Sequence, residues 1–213
     1  YETIAKAATN LGVYGADLSY TRISDQLQEC VNYLNAIRQL AEILGIPEQE
    51  GAFAFERIEN NINNKDSLLK IIADIYSSAD LYLKESDRGN TAALVILGGY
   101  VEALYLATNI IDYENPNPEI MNRIAEQKYS LDNLMELLKV YKDDKDIQEF
   151  IPMLEELKAK YDGIKITYIR GDIQTDSINK VTTINSEGII EVTIDQIKEI
   201  RVIVEKIREY IIS

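Results

Sequence analysis

Residues 91–111, TAALVILGGYVEALYLATNII, are apolar on every side of a helical wheel and carry one charge, Glu102. A helix that is hydrophobic all round is either the centre of a core or a membrane span, and about 20 residues suit both. Three features favour the core. The carboxyl is mid-span, Gly98-Gly99 costs about 1 kcal/mol per glycine against alanine, and the flanks lack the basic bias of a spanning helix. We expect a central helix around which the others pack.

Upstream, residues 2–22 read as a first helix with small residues every fourth position: Ala8, Gly12 and Ala16, and again Gly15 and Ser19. Gly99, Ala103 and Ala107 repeat the device in the central helix, so the two are expected to pack small stripe against small stripe. Ser24 with Asp25 predicts an N-cap for a second helix, 24–44, with Leu27, Val31, Leu34, Ile37, Ala41 and Leu44 inward and Gly45 and Pro47 as its stop. A third helix, about 52–62, leads through an asparagine-rich run to a fourth, 65–86, with Leu68, Leu69, Ile72, Ile75, Ala79 and Leu83 inward. Asn90 is the expected cap of the central helix. Asn117 and Pro118 start a sixth helix, whose stripe Ile120, Ile124, Gln127, Leu131, Leu134, Leu138, Tyr141 has one polar member. Residues from Arg57 to Ile72 align without gaps on those from Arg123 to Leu138, which with the shared small stripes suggests two related halves.

After a solvated linker at 142–146 and a seventh helix to about 160, Asp162-Gly163 ends the helical pattern. Residues 164–169, 181–184 and 189–193 alternate as strands do, with Asn185-Ser186-Glu187-Gly188 as a separator. A hairpin, a three-strand ribbon and an irregular arm all fit. Thr193 and Gln196 form a capping box. Ile197, Ile200, Val204, Ile207 and Ile211 then make a narrow seam that wants one partner helix. The fold expected is mostly α: a single domain over 1–213, a bundle of seven or eight helices (core helices 2–160, an extended or β arm at 163–193, a C-terminal helix at 194–212).

Composition narrows the chemistry. The chain has no histidine, one cysteine and a formal net charge of −14. That excludes histidine-based catalysis and histidine metal sites and any internal disulfide. No run of Lys and Arg could grip a phosphate backbone, so no nucleic-acid partner is expected. Cys30 falls at an apolar helix position and reads as a small core residue. Asp143, Asp144 and Asp146 lack the spacing of a calcium loop, and no metal or cofactor is expected. Arg22, Arg38, Arg57 and Arg123 read as rim salt-bridge residues, with anion binding as the alternative.

The candidate site is the polar set on helices expected to be buried: Asp17, Asn61, Glu102 and Gln127, with Tyr14, Tyr20, Tyr100 and Tyr105 close in sequence. Buried carboxyls are costly unless paired or hydrogen-bonded. If the two small-striped helices touch, Asp17 and Glu102 meet at mid-height and can share a proton. A hydrogen-bonded network fixing helix register and a polar ligand pocket are both open.

The segments LGVYGADLSY (11–20), NNKDSLL (63–69), GGYVEALYLATN (98–109), AEQKYSLDNLMELL (125–138) and TTIN (182–185) resemble a group of uncharacterised envelope lipoproteins of the Bacteroides type. The resemblance spans most of the chain. It implies a helical extracytoplasmic domain, periplasmic or surface-exposed, tethered through a lipid on a cysteine upstream of Tyr1. It implies no activity and no site residues. The expected function is therefore a non-catalytic binding or structural module for a protein or small ligand. Two alternatives stand beside it: an enzyme using the acid and tyrosine set, and an envelope protein that self-associates through 194–212.

Overall fold

The computed structural model describes residues 3–24, 26–47, 61, 64–176 and 181–213. The expected helix at about 52–62, Arg57 with it, and most of the asparagine-rich run lie outside the described residues, and with them the start of the proposed repeat segment 57–72. Among the described residues seven helices and one hairpin form a mostly α bundle: α1 Ile4–Ile23, α2 Leu27–Ile43, α3 Lys65–Glu85, α4 Gly89–Asn109, α5 Pro118–Val140, α6 Lys145–Asp162, β1 Lys165–Asp176, β2 Val181–Glu191 and α7 Ile194–Ile212.

α4 is the apolar helix, and α1, α3, α5 and α7 all pack on it. By length and composition it could cross a membrane, but here its apolar surface builds the core. Its contact with α1 is the most extensive between any two helices. The reason is local. A Cβ on Gly98 would run into the Thr9 carbonyl, and one on Gly12 into the Val95 carbonyl. Glycine is what lets the two backbones touch. The face of α4 in this contact is Val95, Gly98, Gly99 and Glu102, with Gly99 against Gly12 as expected. Ala103 and Ala107, the rest of the expected stripe, lie further round the wheel. Ala103 is exposed and Ala107 half-buried, on the side facing α5.

Helix ends follow side-chain chemistry, with two corrections. α2 starts at Gln26 without a side-chain cap, so Ser24 does not cap it. Its inward face holds Cys30 in place of Val31, which is 40% exposed. Gly45 closes it in the left-handed conformation (φ +62°), with Gly45 N–H donating to Glu42 O and Ile46 N–H to Ala41 O. α4 starts one residue before Asn90, which instead donates to Asp144 Oδ2 at 2.7 Å. Asp144 in turn accepts from the amides of Asp146 and Ile147 and starts α6, so the 142–146 stretch is a helix start tied to α4 rather than a free linker. Asn117 and Pro118 open α5, and Thr193 with Gln196 opens α7 through both bonds of a capping box.

The isoleucine seam of α7 is buried within the chain, chiefly against α4 and α6 with α1 and α5 alongside. It completes the core, while Val202 and Ile212 on the outer side of α7 stay exposed. Asn10 Nδ2 donates to Ile211 O at 3.0 Å, anchoring the end of α7 to α1. The arm before α7 is one two-stranded antiparallel hairpin, paired from Lys165 opposite Glu191 to Asp176 opposite Val181, with an irregularity between Arg170 and Ile173. The 185–188 stretch runs inside β2 instead of separating strands, because β1 continues past Ile169 and supplies it with a partner. Lys128 Nζ donates to Ile164 O and Gln196 Nε2 to Gly163 O, fixing the base of the arm.

Candidate functional site

Four helices converge on the two acids. α1 brings Asp17 and α4 brings Glu102, both buried, and the Glu102 carboxyl is a close enough neighbour to act on that of Asp17. α7 brings Arg208, whose Nε donates to Glu102 Oε2 at 2.6 Å. The guanidinium lies over the ring of Tyr105, 4.3 Å from its centre, a cation–π contact that favours the charge. α2 brings Tyr33, whose hydroxyl acts on Asp17 and whose ring packs against Tyr14 at 5.7 Å between ring centres. Glu102 Oε1 is buried and has no N–H or hydroxyl donor among the described residues. A proton on the neighbouring Asp17 carboxyl would give it a donor.

The electrostatics agree. Burial, then the neighbouring Glu102 charge, push the Asp17 carboxyl up to about 7, against the opposing pull of Arg208 and of the Tyr33 hydroxyl. Arg208 is held above its ordinary range: burial works against its charge, but its bond to Glu102 and the surrounding acids outweigh that cost. Burial and the Asp17 charge raise the Tyr33 hydroxyl.

Of the eight residues singled out, the structure brings Asp17, Glu102, Tyr14 and Tyr105 into this cluster. Tyr100 and Gln127 are elsewhere. The Tyr100 hydroxyl donates to the Gln127 carbonyl oxygen at 3.3 Å, and the Gln127 side chain turns back to Arg123 O. Burial pushes the hydroxyls of Tyr100 and its neighbour Tyr161 upward, and Tyr161 donates to Ile124 O. These are hydrogen-bonded core tyrosines. Tyr20 and Asn61 are half-buried and are not among the groups acting on Asp17. Arg123 pairs with Glu126 at the surface.

Two residues of the cluster escape a reading of the pattern. Arg208 follows Val204 by four residues and precedes Ile211 by three, so it flanks the buried seam. The signal was the need of a buried acid for a cation. Tyr33 stands likewise between Cys30 and Ile37 on the inner face of α2.

Among the described residues neither acid lines the two grooves nearest to the cluster. A cavity of about 360 Å³ opens beside it, between α1, α3 and α4. Its walls are small and apolar (Gly12, Gly15, Ala16, Ile72, Ala73, Val95, Ile96) with Ser19, Tyr76 and Asp80 as the polar exceptions. Tyr76 fills the notch that Gly15 leaves and donates to Leu11 O at 2.8 Å. Asp80 Oδ2 accepts from Lys84 at 2.7 Å, while Asp80 Oδ1 is buried with no donor among the described residues. A second groove of about 390 Å³ runs between α4 and α5, along Tyr100, Ala103, Ala107, Ile120 and Gln127. Among the described residues no group of three or more acidic or thiol side chains is placed to hold a metal. Comparison with family models, curated proteins and solved structures finds no match.

Proposed function

We propose that the chain is a non-catalytic binding module, and that its ligand site is the groove between α1, α3 and α4. The observation that carries this is one buried polar atom in a mostly apolar wall: Asp80 Oδ1, without a donor among the described residues, in a groove whose other polar members are Ser19 and Tyr76. Its volume of about 360 Å³ is at the lower end of small-molecule sites, which are mostly apolar with a few polar groups that orient the ligand. A ligand suited to it has a short aliphatic body and one hydrogen-bond-donating or cationic head. The acid pair supports no catalytic reading as well as this, because its carboxyls are committed to each other and to Arg208.

The test is titration calorimetry of the intact chain with n-octylamine and with octane-1-sulfonate. Binding of the amine, weakened at least tenfold by Ala73→Trp, which fills the groove from an exposed position, supports the proposal. Equal binding of both probes, or binding indifferent to Ala73→Trp, contradicts it.

Exposure on the envelope belongs to the same reading and rests on the resemblance of the five segments alone. An apolar leader followed by a cysteine encoded upstream of Tyr1 would support it. An upstream sequence lacking both would end it.

A further inference from the structure

The junction of α1, α4 and α7 contains two carboxyls and one guanidinium. Arg208 neutralises one negative charge, through Glu102 Oε2. The Glu102 carboxyl also acts on that of Asp17, and two carboxyls can bond only through a proton held between them. Glu102 Oε1 has no other donor among the described residues. The groups around the pair come from every helix that meets there: Tyr14 on α1, Tyr33 with Glu29 beyond it on α2, Tyr105 on α4 and Arg208 on α7. None of these except Arg208 carries a positive charge.

We propose that the proton shared by Asp17 and Glu102 is a pH-sensitive latch, which tightens the junction of α1, α4 and α7 in acid and releases it as the medium passes neutrality. Once the proton leaves, the junction holds a net negative charge with two carboxylates side by side and little water to screen them. The backbones of α1 and α4 cannot part at Gly12 and Gly98 without losing their closest contact. The strain therefore falls on what surrounds the acids: the C-terminal turns of α1 and the end of α7, which Arg208 and the Asn10–Ile211 bond secure.

The composition makes the latch unusually visible. With no histidine in the chain, no other side chain of ordinary pKa titrates between pH 5.5 and 8. The folded pKa of Asp17, about 7, lies above its reference value of 3.8. The stabilisation is therefore fully present below pH 3.8 and is lost as pH rises to about 7.

The experiment is thermal unfolding of the intact chain from pH 5 to pH 8.5, beside Asp17→Asn, which keeps a donor beside Glu102 without titrating. The wild-type midpoint should fall by roughly 5–10 °C across this range and the variant midpoint should stay nearly level. Parallel slopes in the two proteins, or a level wild-type midpoint, overturn the proposal. Hydrogen exchange of the wild-type chain supplies a readout that needs no variant. After correction for the intrinsic pH dependence, amides at 15–20 and 204–211 should lose at least tenfold in protection between pH 5 and 8.5. Unchanged protection there overturns the latch as well. Neither readout depends on the groove, so its failure and that of the proposed ligand site are separable.

Discussion

A buried carboxyl with no cation opposite would gain from conversion to an amide. Glu102 is in the other situation. It holds Arg208 at 2.6 Å, and the arginine side chain is itself only 24% exposed. Removing one partner of such a pair costs about 3–5 kcal/mol because the other charge is left buried and alone. We therefore predict that Glu102→Ala destabilises the chain by about that amount in urea unfolding, while Glu102→Leu combined with Arg208→Leu costs clearly less than the sum of the single changes. The meeting of Asp17 with Glu102 was legible in the sequence, because each is the acid of a helix whose small residues invite close contact. Arg208 was not. Helical periodicity marks apolar positions, and an arginine at the edge of an isoleucine seam looks like any solvated flank until the acid it neutralises is placed opposite.

Between elements, the α1–α4 contact turns on which glycine faces the partner. Gly98 and Gly99 are adjacent, yet a Cβ at Gly98 would strike the Thr9 carbonyl, whereas one at Gly99 would sit 3.5 Å from Gly12 O, an ordinary contact. Gly98→Ala should cost at least the ~1–3 kcal/mol of an overpacked core. Gly99→Ala should be close to neutral, since the gain in helix propensity of about 1 kcal/mol offsets small adjustments. Denaturant unfolding of the two variants checks this, and equal losses would mean that the helices do not meet as described. The sequence pointed to the right pair of helices, but of its stripe on α4 only Gly99 lies at the contact, and Ala103 and Ala107 turn away. Gly99, Ala103 and Ala107 recur as regularly as the true face, and spacing alone cannot say which of two small stripes turns inward. The hairpin was under-read for a related reason. Gly188 looks like a turn in isolation but is an ordinary partner once Tyr168 lies across from it.

At the scale of the whole molecule, the C-terminal helix and the arm before it behave oppositely. Ile197, Ile200, Val204 and Ile207 of α7 are fully buried within the chain, so deletion of 194–213 should abolish cooperative unfolding rather than convert an oligomer to a monomer. Circular dichroism melting of the truncated chain decides between the two. The strands of the arm contact each other far more than they contact any helix, and among the described residues its base packs against the core through Ile166, Ile190 and Val192. Replacing 168–188 with a short glycine-containing turn should move the melting midpoint by no more than a few degrees. The mostly α architecture was legible because long apolar periodicities dominate the chain. The groove beside Asp80 was not, since a cavity arises from how three helices fail to fill the space between them, which no single helix records. The account rests above all on the two acids being a proton-sharing junction inside the fold. Carbon-13 NMR titration of the side-chain carboxyls in the intact chain tests that most directly: Asp17 should lose its proton near pH 7, with the Glu102 signal shifting in the same step, and ordinary titration of both carboxyls near pH 4 would contradict it.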